Sequence, residues 1–230
     1  MKKVKYIKIT LKLQMHELYG VFSKFPYNNE TGLGVEVFTY DKGHLDAKFT
    51  ERLVFKEHIV DPYGNSEEIE TIRFLSFGFC VFSLGKDVCL LSVNSPPRSL
   101  KSFVRFLSEI AGRGFSISNI GIDVSDFFRA LSERDEFKVE NIDQIKIKDV
   151  FISKSSRADV SVFSSQDAYS DAKEFLNNKK FSIGKVRMRI RSEQSRGQLE
   201  ISSTGLLGAS DCILQDIQDF SVKYFSDKVL

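Results

Sequence analysis

The chain contains no tryptophan and only three histidines, three cysteines and four prolines in 230 residues. Each scarcity removes a class of function. Cys80, Cys89 and Cys212 are an odd set without short paired spacing, which argues against a disulfide framework and a cysteine-based zinc site and fits a reducing, cytoplasmic setting. His16, His44 and His58 stand too far apart in sequence for metal-ligand spacing. There is no Gly-x-Ser-x-Gly elbow for a hydrolase and no Gly-x-Gly-x-x-Gly fingerprint for a dinucleotide. The residues therefore call for no metal and no cofactor, and the reading leans away from an enzyme. Long apolar runs are missing too. Phe74 to Leu84 is the greasiest stretch, and Lys86 and Asp87 cut it far short of the ~20 apolar residues that span a bilayer. At the N-terminus, Lys8 and Lys12 interrupt the apolar stretch that a signal peptide needs. No membrane partner is expected.

Apolar residues make up 42% of the chain, charged residues 28%, and 14 glycines with four prolines are too few for a low-complexity or disordered chain. The 21 phenylalanines predict a core of Phe and aliphatic side chains. In Tyr6 to Leu13, apolar residues alternate with Lys8, Thr10 and Lys12, the period of a half-buried strand. Extended segments follow over Val35 to Tyr40, His44 to Val60, about Glu68 to Leu84, and Val88 to Val93. Asn94, Ser95, Pro96 and Pro97 punctuate the chain. Beyond them a helix capped by Ser99 carries Leu100, Phe103, Val104, Leu107, Ile110 and Ala111 on one stripe. Further helices are read after Ser125, after Ser165 (with Ala168, Tyr169, Ala172, Phe175 and Leu176 inward) and after Ser210 (Ile213, Ile217, Phe220, Tyr224 inward). Strands are read at Phe115 to Ile122, Ile145 to Ile152, Val160 to Phe163, and in a hairpin of Phe181 to Arg191 with Leu199 to Ser203.

This order predicts an α+β fold with antiparallel or mixed sheets and about four helices. A β-rich region, 1–95, precedes a strand-strand-helix-strand-strand-helix region, 96–230, in one compact two-part unit.

Net charge is only +2, but residues 179–196 hold seven basic groups against Glu193 alone. They are Lys179, Lys180, Lys185, Arg187, Arg189, Arg191 and Arg196. If Ile183 to Arg191 is extended, Lys185, Arg187, Arg189 and Arg191 share one face and Val186, Met188 and Ile190 the other. A row of like charges needs counter-charges. A phosphate backbone supplies them, because arginine binds phosphate bidentately and each neutralised phosphate releases counterions. Lys8 and Lys12, sharing a strand face, are candidates to extend that surface, and Lys101 and Arg105 share the exposed side of the helix. The resulting expectation is a non-enzymatic nucleic-acid-binding protein, with duplex DNA slightly favoured because the strands lack the exposed aromatic pairs that stack single-stranded RNA.

Three other readings stand beside it. The row is an ordinary solvated face paired with carboxylates such as Glu200. Alternatively, the chain is a protein-protein interaction subunit whose arginines dock on an acidic protein surface, or on the last helix of a second copy in a homo-oligomer (Asp216, Asp219, Asp227). Third, Asp46 to Lys48, Glu136 to Lys138 or Asp171 to Lys173 belongs to a metal-dependent nuclease, Asp123 being a possible upstream acid for Glu136. The loop Thr204 to Ser210 lacks the Lys of a phosphate-binding loop and reads as a capped turn.

Overall fold

The computed structural model describes residues 1–60, 62–153, 155–177, 181–192 and 195–229. The fold is α+β with strands dominant: among the described residues there are eleven strands in antiparallel pairings and five α-helices. Past residue 96 the order is helix, strand, helix, two strands, helix, three strands, helix. That order differs from the predicted strand-strand-helix-strand-strand-helix succession: a helix, a strand and a helix come first, and Leu206–Ala209 is a short strand where the sequence pointed to a turn. Among the described residues no helix is long and apolar enough to cross a membrane.

Contacts divide the chain into two units, residues 10–116 and residues 1–9 with 117–230, whereas the sequence placed its boundary between 95 and 96. The helix after that punctuation, α2 (Lys101–Ala111), thus packs with the strands that precede it.

In the first unit the strands run in the order β2 (Leu33–Tyr40), β3 (His44–Val60), β4 (Ser66–Gly85), β5 (Val88–Asn94). Val81, Phe79 and Phe77 on β4 share a face with Leu45, Ala47 and Phe49 on β3, and all six are buried. Phe103 and Phe106 of α2 fill that face: Phe103 lies 4.8 Å from Phe79 and 5.1 Å from Phe49, centroid to centroid. Helix α1 (Met15–Phe22), which the sequence reading lacks, buries Met15, Leu18 and Phe22 at helical spacing. Gln14 and Glu17 form a reciprocal capping box at its start.

The second unit places its strands in the order β1 (Lys2–Thr10), β11 (Leu206–Ala209), β10 (Arg196–Ser202), β9 (Ser182–Ser192), β7 (Phe137–Phe151), β8 (Arg157–Phe163), with β6 (Ser116–Asn119) also on β1. One face is apolar and buried: Ile145 and Ile147 on β7, Val186, Met188 and Ile190 on β9, Leu199 and Ile201 on β10. Helices α3 (Val124–Ser132) and α5 (Leu214–Val229) bring Phe127, Phe220 and Phe225 into the same core, where Phe127 and Phe220 meet edge to face at 5.2 Å. The caps differ from expectation. Asp123 caps α3 and Asp167 caps α4 (Ala168–Phe175), each accepting two backbone N–H bonds, in place of Ser125 and Ser165. A carboxylate accepts those donors and meets the helix dipole as well, which a serine cannot do. Ser99 lies one residue before the observed cap, Leu100, although its hydroxyl still accepts from Lys101 N–H. Ser210 stands at the predicted cap position, but its hydroxyl accepts from Gln198 N–H instead. Phe175, predicted inward on α4, is exposed, while Ala168 and Ala172 are buried. The β10–β11 turn uses Gly205 at φ 81°, where an added Cβ would stand 2.9 Å from the Tyr6 carbonyl.

Candidate nucleic-acid interface

Strand β9 is extended over the predicted row. Val186, Met188 and Ile190 are buried, and Lys185, Arg187, Arg189 and Arg191 alternate with them on the other face. Register shows what stands beside each cation. Arg191 lies between Lys138 on β7 and Arg196 on β10, so three cations face one another across three strands. Arg187 lies between Gln144 and Glu200, and Lys185 between Lys146 and Ser202.

The row is nevertheless not a bare basic patch, and the correction comes from β7. That strand has register shifts between Val139 and Asn141 and between Ile142 and Gln144, each inserting one extra residue: Glu140 and Asp143. A bulge sets two residues against one on the partner strand and re-aims a side chain. Both inserted carboxylates reach the arginine face. Glu140 lies 3.2 Å from Arg196 Nε and Asp143 lies 3.4 Å from Arg189 Nε. Asn141 Nδ2 also donates to Asp143, steadying it. Glu200 takes Lys185 Nζ at 2.7 Å, a diagonal pairing across the hairpin. On the edge strand Asp159 holds Lys146 at 3.0 Å, and that contact lowers the Asp159 pKa below its ordinary value.

Two members of the row keep no such partner. Among the described residues neither Arg187 nor Arg191 has an ion pair, and Arg187 Nε is buried without a hydrogen-bond acceptor. Arg191 lines an open hollow of about 520 Å³ with Lys138, Arg196, Ser195, Asp135 and Glu136.

The other predicted residues fall elsewhere. Lys179 and Lys180 lie outside the described residues. Lys8 lies on β1, and Lys12 lies past the end of β1 in the 10–116 unit, so these two do not share a strand face. Lys3, which the sequence reading passed over, is in register with Gly208, and Gly208 with Glu200, which puts it in the cross-strand line of Arg187. Lys138 and Lys146 were also legible in principle, through the alternation of β7 with Val139, Ile145 and Ile147. One aromatic joins this face: Phe163 on the edge strand, exposed and opposite Gln144.

Alternative chemistry finds less. Among the described residues no three His, Cys, Asp or Glu side chains gather as a metal site, and Asp123 is engaged as a helix cap. Cys80 pairs across strands with Ser92 and Cys89 with Ser83, so the two thiols are not neighbours. Burial, reinforced by Asp46, pushes the Cys80 thiol up to about 12; burial and Asp87 push Cys89 to about 11. Neither is a ready nucleophile. Lys101 and Arg105 belong to the 10–116 unit, and Arg105 is paired with Glu109 at 3.8 Å. Asp216 and Asp219 line a separate hollow with Arg134 and Lys223, an acidic surface already mixed with cations. No protein-family model matches the chain, and no curated protein matches it.

Proposed function

We propose that the protein binds nucleic acid without catalysis, through the helix-free face of the β9 sheet and by contacts to the phosphate backbone. The observation that carries this reading is the in-register line Lys138, Arg191, Arg196, in which Glu140 pairs with Arg196 and, among the described residues, Lys138 and Arg191 have no ion pair, although Asp135 and Glu136 line the same hollow. Like charges set directly across strands oppose folding. An external polyanion at this line would relieve that repulsion. Arg187, without an ion pair among the described residues, adds a second cation further along the same strand. The interleaved carboxylates lower the face's mean charge, which favours a few discrete phosphate contacts over a broad electrostatic groove. Among the described residues of this face one exposed ring, Phe163, offers a stacking surface where single-strand binders place several. Duplex DNA therefore remains the preferred ligand class.

The test is fluorescence anisotropy with labelled duplex and single-stranded oligonucleotides at low salt, comparing wild type with the double variant Lys138→Glu plus Arg191→Glu. The reading expects duplex binding by wild type and at least about tenfold weaker binding by the variant, a loss of about 1.4 kcal/mol or more. Equal binding by the two proteins, or none by either, would remove it.

A further inference from the structure

Residues directly opposite each other in a sheet point to the same side, so register carries the helix-free face beyond β9. From Arg187 the line runs through Glu200 on β10 and Gly208 on β11 to Lys3 on β1. Lys5 is opposite Leu206, two residues further on, and therefore lies on the same side. Lys3 is exposed and Lys5 half-buried, and among the described residues neither has an ion pair. Lys5 Nζ donates to the Thr204 carbonyl, a neutral acceptor that leaves its charge uncancelled. Burial lowers the Lys5 pKa from its ordinary value, so Lys3 carries the firmer charge of the two.

The uncompensated cations of this face thus fall on two lines. Arg187 and Arg191, flanked by Lys138, follow β9, and Lys3 with Lys5 follows β1. Among the described residues the two strands between them add no spare positive charge. On this side β10 presents Arg196, held by Glu140, then Gln198, then Glu200, held by Lys185, while β11 presents Leu206 and Gly208. The β9 and β1 lines are three strand spacings apart, about 14 Å at ~4.8 Å each.

One polynucleotide backbone can follow either line, but to join them directly it must pass over Glu200, whose carboxylate stands between Arg187 and Lys3 and repels phosphate. Two backbones with a gap between them meet no such obstacle. A duplex supplies them, separated by grooves about 6 and about 12 Å wide, the scale of the gap between the lines. A groove admits a helix or a two-stranded ribbon. The six strands from β1 to β8 are too broad to enter one, so the sheet lies across the groove and touches the backbones at its rims.

We propose that the sheet bridges the two strands of one duplex, with Arg187 and Arg191 on one backbone, Lys3 and Lys5 on the other, and the β10–β11 strip beneath the groove. This rests on the duplex-binding reading above and adds β1 to it as a second contact row. Glu200 then faces the groove, where no phosphate lies, and its pairing with Lys185 keeps the strip near neutral.

The salt dependence of affinity, measured on two duplexes, tests this. On an ordinary duplex, Lys3→Gln plus Lys5→Gln is expected to make the slope of log affinity against log salt shallower by about 1.8, since each neutralised phosphate contributes about −0.9. Lys3→Gln alone changes an exposed side chain and should remove about 0.9, which keeps the test decisive if loss of Lys5 disturbs β1. The second duplex carries neutral methylphosphonates throughout one strand and so offers a single charged backbone. The β9 row, with more cations, takes that backbone, and wild type and Lys3→Gln should bind this duplex equally. An unchanged slope for Lys3→Gln on the ordinary duplex would overturn the proposal and leave duplex binding standing. So would an equal loss on the two duplexes, because both rows would then meet the same backbone. Failure of wild type to bind the ordinary duplex would remove the duplex reading, and the proposal with it.

Discussion

The two units solve the same problem, a sheet with helices on one face, and leave different things uncovered. In residues 1–9 with 117–230, the uncovered face is charged, and the chain moderates it by two bulges that deliver Glu140 and Asp143 among the arginines. In residues 10–116, β3 and β4 outrun their neighbours and expose an apolar ribbon. A charged face stays soluble as it stands and waits for an ionic partner. An apolar projection has no such rest state in water.

Several substitutions sharpen or break that contrast. The largest effect belongs to the covered side. Phe103→Ala removes a ring packed against Phe49, Phe77 and Phe79 and should cost about 3 to 5 kcal/mol in urea unfolding. Ile72→Ala, on the ribbon and 51% exposed, should cost less than about 1 kcal/mol. Similar costs for the two would mean that the ribbon is packed in solution.

A smaller effect is expected where α3 meets α5. Asp126 accepts from Lys228 Nζ at 2.7 Å and from Tyr224 Oη at 2.8 Å, and also pairs with Arg129. Led by the Lys228 contact and then by Tyr224, these partners hold its carboxyl down at about 2, below the unfolded value of about 3.9. Burial, then the hydrogen bond to Asp126, raises the Tyr224 hydroxyl above its ordinary value. Because the folded carboxyl is the stronger acid, its contribution is complete above about pH 4 and disappears as pH falls through about 2. Asp126→Asn should therefore lower stability by about 1 kcal/mol at neutral pH, with the gap closing on acidification. A gap that stays constant down to acid pH would contradict the assigned contacts.

The smallest effect has the more informative sign. If the bulged carboxylates moderate the arginine face, Asp143→Asn should strengthen duplex binding by about threefold, the screened Coulomb effect of one charge at ~7 Å. Weaker binding would mean that Asp143 orients Arg189 for the ligand.

Much of this architecture is legible in the residues. The run from His44 to Val60, closed by Pro62 and Gly64, is β3, and the alternation around Val186, Met188 and Ile190 gives β9 its two faces. The inward residues Ile213, Ile217, Phe220 and Tyr224 follow from 3.6-residue spacing and are buried. What is not legible depends on partners. A bulge exists only relative to the strand it faces, so nothing in Glu140 or Asp143 announces that either joins the arginines. The ribbon escapes notice for the same reason: β3 and β4 look continuous in sequence, and only the shorter β2 and β5 reveal where support ends. Helix α1 is different, since Met15, Leu18 and Phe22 with Gln14 and Glu17 carry a readable signal in only eight helical residues.

The most direct measurement of the central claim is the salt dependence of duplex affinity for wild type and for Arg187→Gln plus Arg191→Gln. Each phosphate neutralised contributes about −0.9 to the slope of log affinity against log salt. If these two arginines each meet a phosphate, the variant's slope should be shallower by about 1.8. Identical slopes for the two proteins would contradict the account.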